Sequence, residues 1–314
     1  MTEFFHACVD IGGTKVAVAL ADGQSQQNLQ LYARRAEPTA THGEPDALAQ
    51  QIIRMVGAAC FDHGIEASQI ASMGVSSCGP FVTDGGEIAI ASPNICGGLA
   101  GAARGLPNSW ISVPLQAPLA AHFTNVRIEN DAVSALEAER RWGALQGIDH
   151  CAYVTWSTGI GVGLCVDGRI LRGKNGNAGH AGHMFVSDNT GGLCGCGNLG
   201  DVEGLVAGNA IERRFGLDAN ALLSALQSSN ANEKIVDELC RDLGRMLYNL
   251  VTTLDLQRVS LGGSVFWHHQ ALLLPKLRAQ LAGKLPALTD GCSLVPAGLG
   301  MQVGDLAALA LIKP

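Results

Sequence analysis

The sequence predicts an α/β fold built from two related lobes. Three observations carry that expectation. A strand–glycine turn–strand unit near residue 12 returns near residue 159. Apolar runs that read as strands alternate with segments whose apolar residues recur at helical spacing. The 314 residues also exceed what one hydrophobic core usually holds, which favours two domains.

The first element, "FFHACVDIGGTKVAVALADG", is an apolar run, a Gly-Gly turn and a second apolar run ending in Asp-Gly. That pattern is strand–turn–strand, not strand–turn–helix. A helix follows, with Leu48, Ile52, Met55, Val56 and Ala59 on one face and Pro45 at its entrance. "IASMGVSSCGP" reads as a buried strand ending in a Gly-Pro turn. Near residue 125 the pattern restarts: "VRIENDAVSALEAERRWGA" is a short strand into a helix. "CAYVTWSTGIGVGLCVDGRILRG" is again strand, glycine loop, strand. Further on, Ile235, Leu239, Leu243, Met246, Leu250 and Leu254 share a helical face. "RVSLGGSV" is a buried strand ending in a Gly-Gly turn, and "VGDLAALALIKP" is a last helix. The limits read from this are 1–124 for one lobe, completed by the C-terminal helix 302–314, and 125–301 for the other.

Composition narrows the function classes. With 47% hydrophobic and 16% charged residues the chain packs into globular domains instead of remaining disordered. A net charge of −7 disfavours nucleic acid and anionic membrane as partners. No apolar run approaches the roughly 20 residues needed to span a bilayer. "MTEFFHACVD" leads straight into the first motif, and ten cysteines read as reduced thiols. The expectation is a cytoplasmic soluble protein.

"DIGGTK" sets a carboxylate (Asp10), two glycine amides (Gly12, Gly13), a hydroxyl (Thr14) and an ammonium (Lys15) within six residues. A polyphosphate with Mg²⁺ suits that set, with the carboxylate toward the metal. The P-loop spacing is missing, and an ordinary hairpin is the plainer alternative. "STGIGVG" has G-x-G-x-G spacing with a strand behind it, so it is a second phosphate hairpin, using Thr158 and Gly159, and not a dinucleotide fingerprint. Gly262 and Gly263 of "LGGS" are either a strand end or a turn against which adenosine lies flat. In "ENDA", Asp131 is either a helix cap or a general base for a substrate hydroxyl. Residues 177–204 hold two histidines, a Cys-x-Cys pair and three carboxylates, which looks like three-quarters of a zinc site.

With "DIGGTK", "ENDA", "STGIGVG", "GHAGH…CGCGNLGDVEG" and "VSLGGS" together, nearly the whole chain resembles the ROK family of sugar kinases and related repressors. The resemblance implies the actin-like ATPase, sugar-kinase type of architecture, with two RNase H-like lobes around a central cleft that closes on ATP and a hexose. It implies that Asp131 takes a proton from a sugar hydroxyl, which attacks the γ-phosphate. The family signature holds a structural Zn²⁺ with one histidine and three cysteines. Here His183, Cys194 and Cys196 match, and Asp201 occupies the third cysteine position. Aspartate oxygen is an acceptable zinc ligand, though harder than thiolate.

Glu203, Asn130 and Asp131 match sugar-contacting positions, with Asn94, His180 and His183 completing the candidate set. Family glucokinases carry glutamate where this chain has His180, and bacterial N-acetylmannosamine kinases of the family carry histidine. The resemblance therefore implies phosphorylation of the 6-hydroxyl of a hexose or N-acetylhexosamine, N-acetylmannosamine ahead of glucose, by a homodimer or homotetramer. The family's repressors begin with a helix-turn-helix module, for which Asp10 leaves no room. A sugar-responsive regulator and an inactive sugar-binding module are the alternatives from other classes.

Overall fold

The computed structural model describes residues 4–99, 105–188, 191–225 and 233–312. The chain divides into two compact units. The first takes the described residues of Met1–Ala138, Arg172–Asn177 and Gly304–Pro314; the second takes those of Glu139–Leu171 and Ala178–Val303.

In the first unit, β1 (Phe5–Ile11), β2 (Lys15–Ala21) and β3 (Tyr32–Pro38) form an antiparallel meander. β4 (Ile70–Ser77) pairs parallel to β1 on the other side. A small second sheet joins β5 (Phe81–Asp84), β6 (Glu87–Ile90) and β7 (Val113–Pro114). β8 (Val126–Asn130) extends the main sheet parallel to β4, giving the order β3-β2-β1-β4-β8. The sequence reading assigned residues from 125 onward to the other lobe. A parallel pairing between distant runs leaves no mark in the local pattern, so the partner of β8 was not legible.

Helix Ala47–His63 buries Leu48, Ile52, Met55, Val56 and Ala59, the face its period marked out. Each large aliphatic residue so buried contributes about 1.5–3 kcal/mol. Gly64, at φ 74°, ends the helix by returning its N–H to the carbonyls of Cys60 and Phe61. Helix Val303–Leu311 also belongs to this unit and lies on β4. A Cβ on Gly74 would fall 2.1 Å from the Ala308 carbonyl oxygen, so only glycine allows that approach.

The second unit repeats the plan. β9 (Cys151–Trp156), β10 (Ile160–Val166) and β11 (Arg169–Ile170) form an antiparallel meander. β12 (Arg258–Gly262) and β13 (Ser293–Pro296) follow in parallel, in the order β11-β10-β9-β12-β13. Each main sheet is thus a three-stranded meander continued by two parallel strands, which is the duplication the glycine turns announced.

Helix Glu233–Leu254 buries Leu239, Leu243, Met246 and Leu250, with Ile235 and Leu254 at the margin of the core. Helix Ser264–Leu281 was not read from the sequence; Pro275 and a non-helical His269 (φ −122°, ψ 18°) interrupt its period. Glu139 is fully buried. Its Oε2 accepts from the amides of Ala144 and Gly298 at 2.9 Å each and from Ser260 Oγ at 3.0 Å, and its Oε1 from the Leu299 amide at 2.8 Å. Among the described residues no helix is long and apolar enough to cross a membrane.

Candidate active site and metal cluster

In the first unit Asp10 is the penultimate residue of β1, just before the turn Gly12–Thr14. The turn is closed by the Gly12 amide on the Lys15 carbonyl at 2.8 Å, and Thr39 Oγ1 donates to the Gly12 carbonyl at 2.8 Å. Thr14 and Lys15 are exposed, which suits groups meant for a soluble ligand. Burial pushes the Asp10 carboxyl up to about 7, with the charge of Asp131 adding to the shift and Lys15 opposing it.

That electrostatic pairing follows from the register. Asp10 lies opposite Ser76, which lies opposite Glu129, two residues before Asp131. Asp131 opens helix Asp131–Trp142. Its Oδ1 and the Oδ1 of Asn130 both take the Ala132 amide, at 2.8 and 3.1 Å. Asn130, just before the helix, makes the cap bond to the second helical amide, while Asp131 is the acidic residue of the first turn. Asn94 is exposed, and its amide donates to Ser92 Oγ at 3.3 Å.

One participant went unread. Arg172 Nε lies 2.6 Å from Oε1 of the buried Glu129, one residue before Asn130. The ion pair fixes the end of β8, and nothing in the local sequence around Arg172 marks it.

In the second unit the turn Ser157–Gly159 joins β9 to β10. The Ser157 amide donates to the Gly159 carbonyl at 3.0 Å, and the Gly208 amide to the Ser157 carbonyl at 2.8 Å. The Ile160 amide donates to Oε2 of Glu203 at 3.1 Å. The turn expected to bind phosphate is therefore in direct contact with the glutamate expected to bind sugar. Packing accounts for Gly262 and Gly263: a Cβ would meet Tyr153 Oη at 2.5 Å or the Trp156 carbonyl at 2.4 Å, and Gly263 has φ 86°.

His183, Cys194, Cys196 and Asp201 bring four ligand atoms within 4.8 Å of one another. His183 Nδ1 is 3.1 Å from Asp201 Oδ2 and 3.7 Å from Cys194 Sγ, and Cys196 Sγ is 3.4 Å from Asp201 Oδ2. Tetrahedral zinc, with bonds of about 2.0–2.3 Å, sets edges of about 3.3–3.8 Å between ligands; these three separations lie close to that range, and the donor set suits the ion. Hydrogen bonding to Asp201 raises the His183 pKa. Burial alone would raise Asp201 as well, but His183, the Gly204 amide and both thiols hold it below its ordinary value. Burial pushes the Cys194 thiol up. A cation bound by the cluster would offset that cost by stabilising the thiolate. His180, which precedes this segment, stacks on His183 with ring centroids 6.2 Å apart and planes at 22°.

Two α/β units with one strand order, each carrying a glycine turn, define the class of the actin-like ATPase fold. The ROK family model matches residues 6–314, and the chain belongs to that family. An N-acetylmannosamine kinase of Salmonella newport is 33% identical over 266 residues, 82% of each chain. The ROK hexokinase from Thermus thermophilus superposes with a TM-score of 0.75 at 30% identity, covering 98% of this chain and 97% of that one. A ROK family glucokinase from Streptomyces griseus, solved with glucose and AMPPNP, shares the fold at 24% identity, with a TM-score of 0.71 and 97% of each chain covered.

Proposed function

We propose that this protein is an ATP-dependent kinase that phosphorylates the 6-hydroxyl of a hexose or N-acetylhexosamine. The observation that carries the reading is Asp131, held at a helix start beside a second carboxylate, Asp10. Asp131 accepts the proton of the sugar hydroxyl, and the oxygen attacks the γ-phosphorus. The bond to the β,γ-bridging oxygen breaks and ADP departs. Lys15 and Thr14 with the amides of Gly12 and Gly13 take phosphate oxygens. Thr158 and Gly159 are assigned to phosphate as well, and Gly262 and Gly263 to the adenosine. Mg²⁺ neutralises phosphate charge during transfer, and Asp10 is the carboxylate that would hold it.

Asn94, Asn130, His180, His183 and Glu203 are assigned to the sugar hydroxyls, whose fixed angles suit amides, imidazoles and carboxylates. Through Nδ1, His183 faces the metal cluster, which leaves its other ring nitrogen for a second partner. His183, Cys194, Cys196 and Asp201 would hold zinc in a structural role, tying down the segment that carries Glu203.

N-acetylmannosamine is favoured over glucose. The support is His180 in place of a carboxylate, together with the relatives named for that sugar. A glucokinase is the second reading, supported by the solved hexokinase relative. A cytoplasmic homodimer or homotetramer completes the proposal. The test is ADP release with MgATP across glucose, mannose, fructose, N-acetylglucosamine and N-acetylmannosamine. Release that no sugar stimulates sinks the reading.

A further inference from the structure

The two glycine turns share a feature that phosphate binding does not use. In the first unit a Cβ on Gly13 would lie 2.8 Å from the Cβ of Asn94. In the second, a Cβ on Gly159 would lie 2.9 Å from Oε2 of Glu203, the oxygen that also accepts the Ile160 amide. Neither glycine is among the residues with positive φ, so the backbone itself does not demand glycine at either position. The neighbouring side chain does. Each neighbour comes from a segment remote in sequence, and each is one that the sugar-kinase reading assigns to the substrate. The same arrangement thus occurs once in each of two duplicated sheets.

We propose that Gly13 and Gly159 are positioning residues for the sugar, an inference that rests on the sugar-kinase reading. Each omits a Cβ so that Asn94 or Glu203 can settle onto its turn, and the Ile160 amide fixes one carboxylate oxygen of Glu203. The turn then sets the depth and orientation at which the side chain meets a sugar hydroxyl. Had these glycines served phosphate alone, the space above them would have no reason to be filled by sugar-assigned side chains in both units.

Gly159 gives the cleaner test. A methyl there meets the far end of a flexible glutamate, so the carboxylate shifts while the fold stays. At Gly13 a methyl meets a Cβ, and backbone around Asn94 must move. In Gly159→Ala the sugar KM rises about tenfold or more, as expected for a displaced contact. The affinity for MgAMPPNP without sugar, measured by calorimetry, falls by a much smaller factor than the sugar KM rises, because the turn amides remain while the glutamate is displaced. In a Glu203→Ala background the further change Gly159→Ala leaves sugar binding unchanged, since no carboxylate remains to displace.

The inference is overturned if nucleotide affinity falls while sugar KM does not, or if the two substitutions act additively on sugar binding. Unchanged kinetics in Gly159→Ala overturn it as well. A Gly159→Ala protein that fails to fold supports it only if adding Glu203→Ala restores folding; failure in both backgrounds overturns it. A wild type that phosphorylates no sugar overturns the kinase reading and this inference with it, whereas the other results leave that reading standing.

Discussion

Oδ2 of Asp201 lies 3.1 Å from Nδ1 of His183, while Oδ1 of the same carboxylate accepts the Gly204 amide at 2.8 Å. One side chain thus faces the metal cluster and caps helix Val202–Val206, which carries Glu203. A thiol can replace the first role but is a poor acceptor for the second. Zinc should co-purify at close to one per chain, and Asp201→Cys should bind it at least as tightly while losing about 1 kcal/mol of cap stability. Elemental analysis and thermal unfolding check the two halves. Protein never exposed to chelator that contains no zinc would speak for a metal-free loop.

Asp131→Asn should keep the fold, because an amide oxygen can still accept the Ala132 N–H. Sugar affinity should survive, and kcat should fall on the order of 10²–10⁴-fold, the usual contribution of a general base. A variant with near-normal kcat removes Asp131 from the role.

Asp10 predicts how stability follows pH. Its folded pKa, about 7, lies above the ordinary 3.8. The fold therefore favours the neutral carboxyl, a contribution that is whole below about pH 4 and is lost as the pH rises through about 7. Without ligand, Asp10→Asn should raise Tm relative to wild type at pH 8, by up to a few kcal/mol of stability, and the advantage should shrink toward pH 4. Parallel Tm curves for the two proteins across that range refute the assignment.

His180→Glu tests the choice of sugar. A carboxylate accepts two hydroxyl hydrogen bonds, whereas a neutral imidazole accepts one and donates one. The exchange should raise kcat/KM for glucose relative to N-acetylmannosamine by about tenfold, or about 1.4 kcal/mol of discrimination. A wild type that already prefers glucose, and an exchange without effect, would leave the kinase but not this substrate.

What the sequence made legible was local. Glycine turns between apolar runs marked both hairpins, and histidines beside a Cys-x-Cys pair suggested a metal site, whose fourth ligand, Asp201, came from the resemblance to the family signature. Features that join distant segments were silent. Glu139 looks like a solvent-facing residue of an amphipathic helix, yet it accepts hydrogen bonds from three separate stretches of chain. The close approach of Glu203 to Gly159 joins segments more than forty residues apart and has no local mark either. β8 had no visible partner because parallel registers are set by tertiary packing.

The position of helix Val303–Leu311 on Gly74 has a consequence for biosynthesis. Ribosomes deliver β1 to β4 early, but the helix that covers β4 is translated only after the entire second unit. The second unit, which ends at Val303, can close before the first is complete. Until then Gly74 of β4 lacks the Ala308 backbone and the Leu311 side chain that pack against it in the finished protein. The nascent chain therefore carries this part of β4 uncovered on the segment made first, where a chaperone has longest to find it.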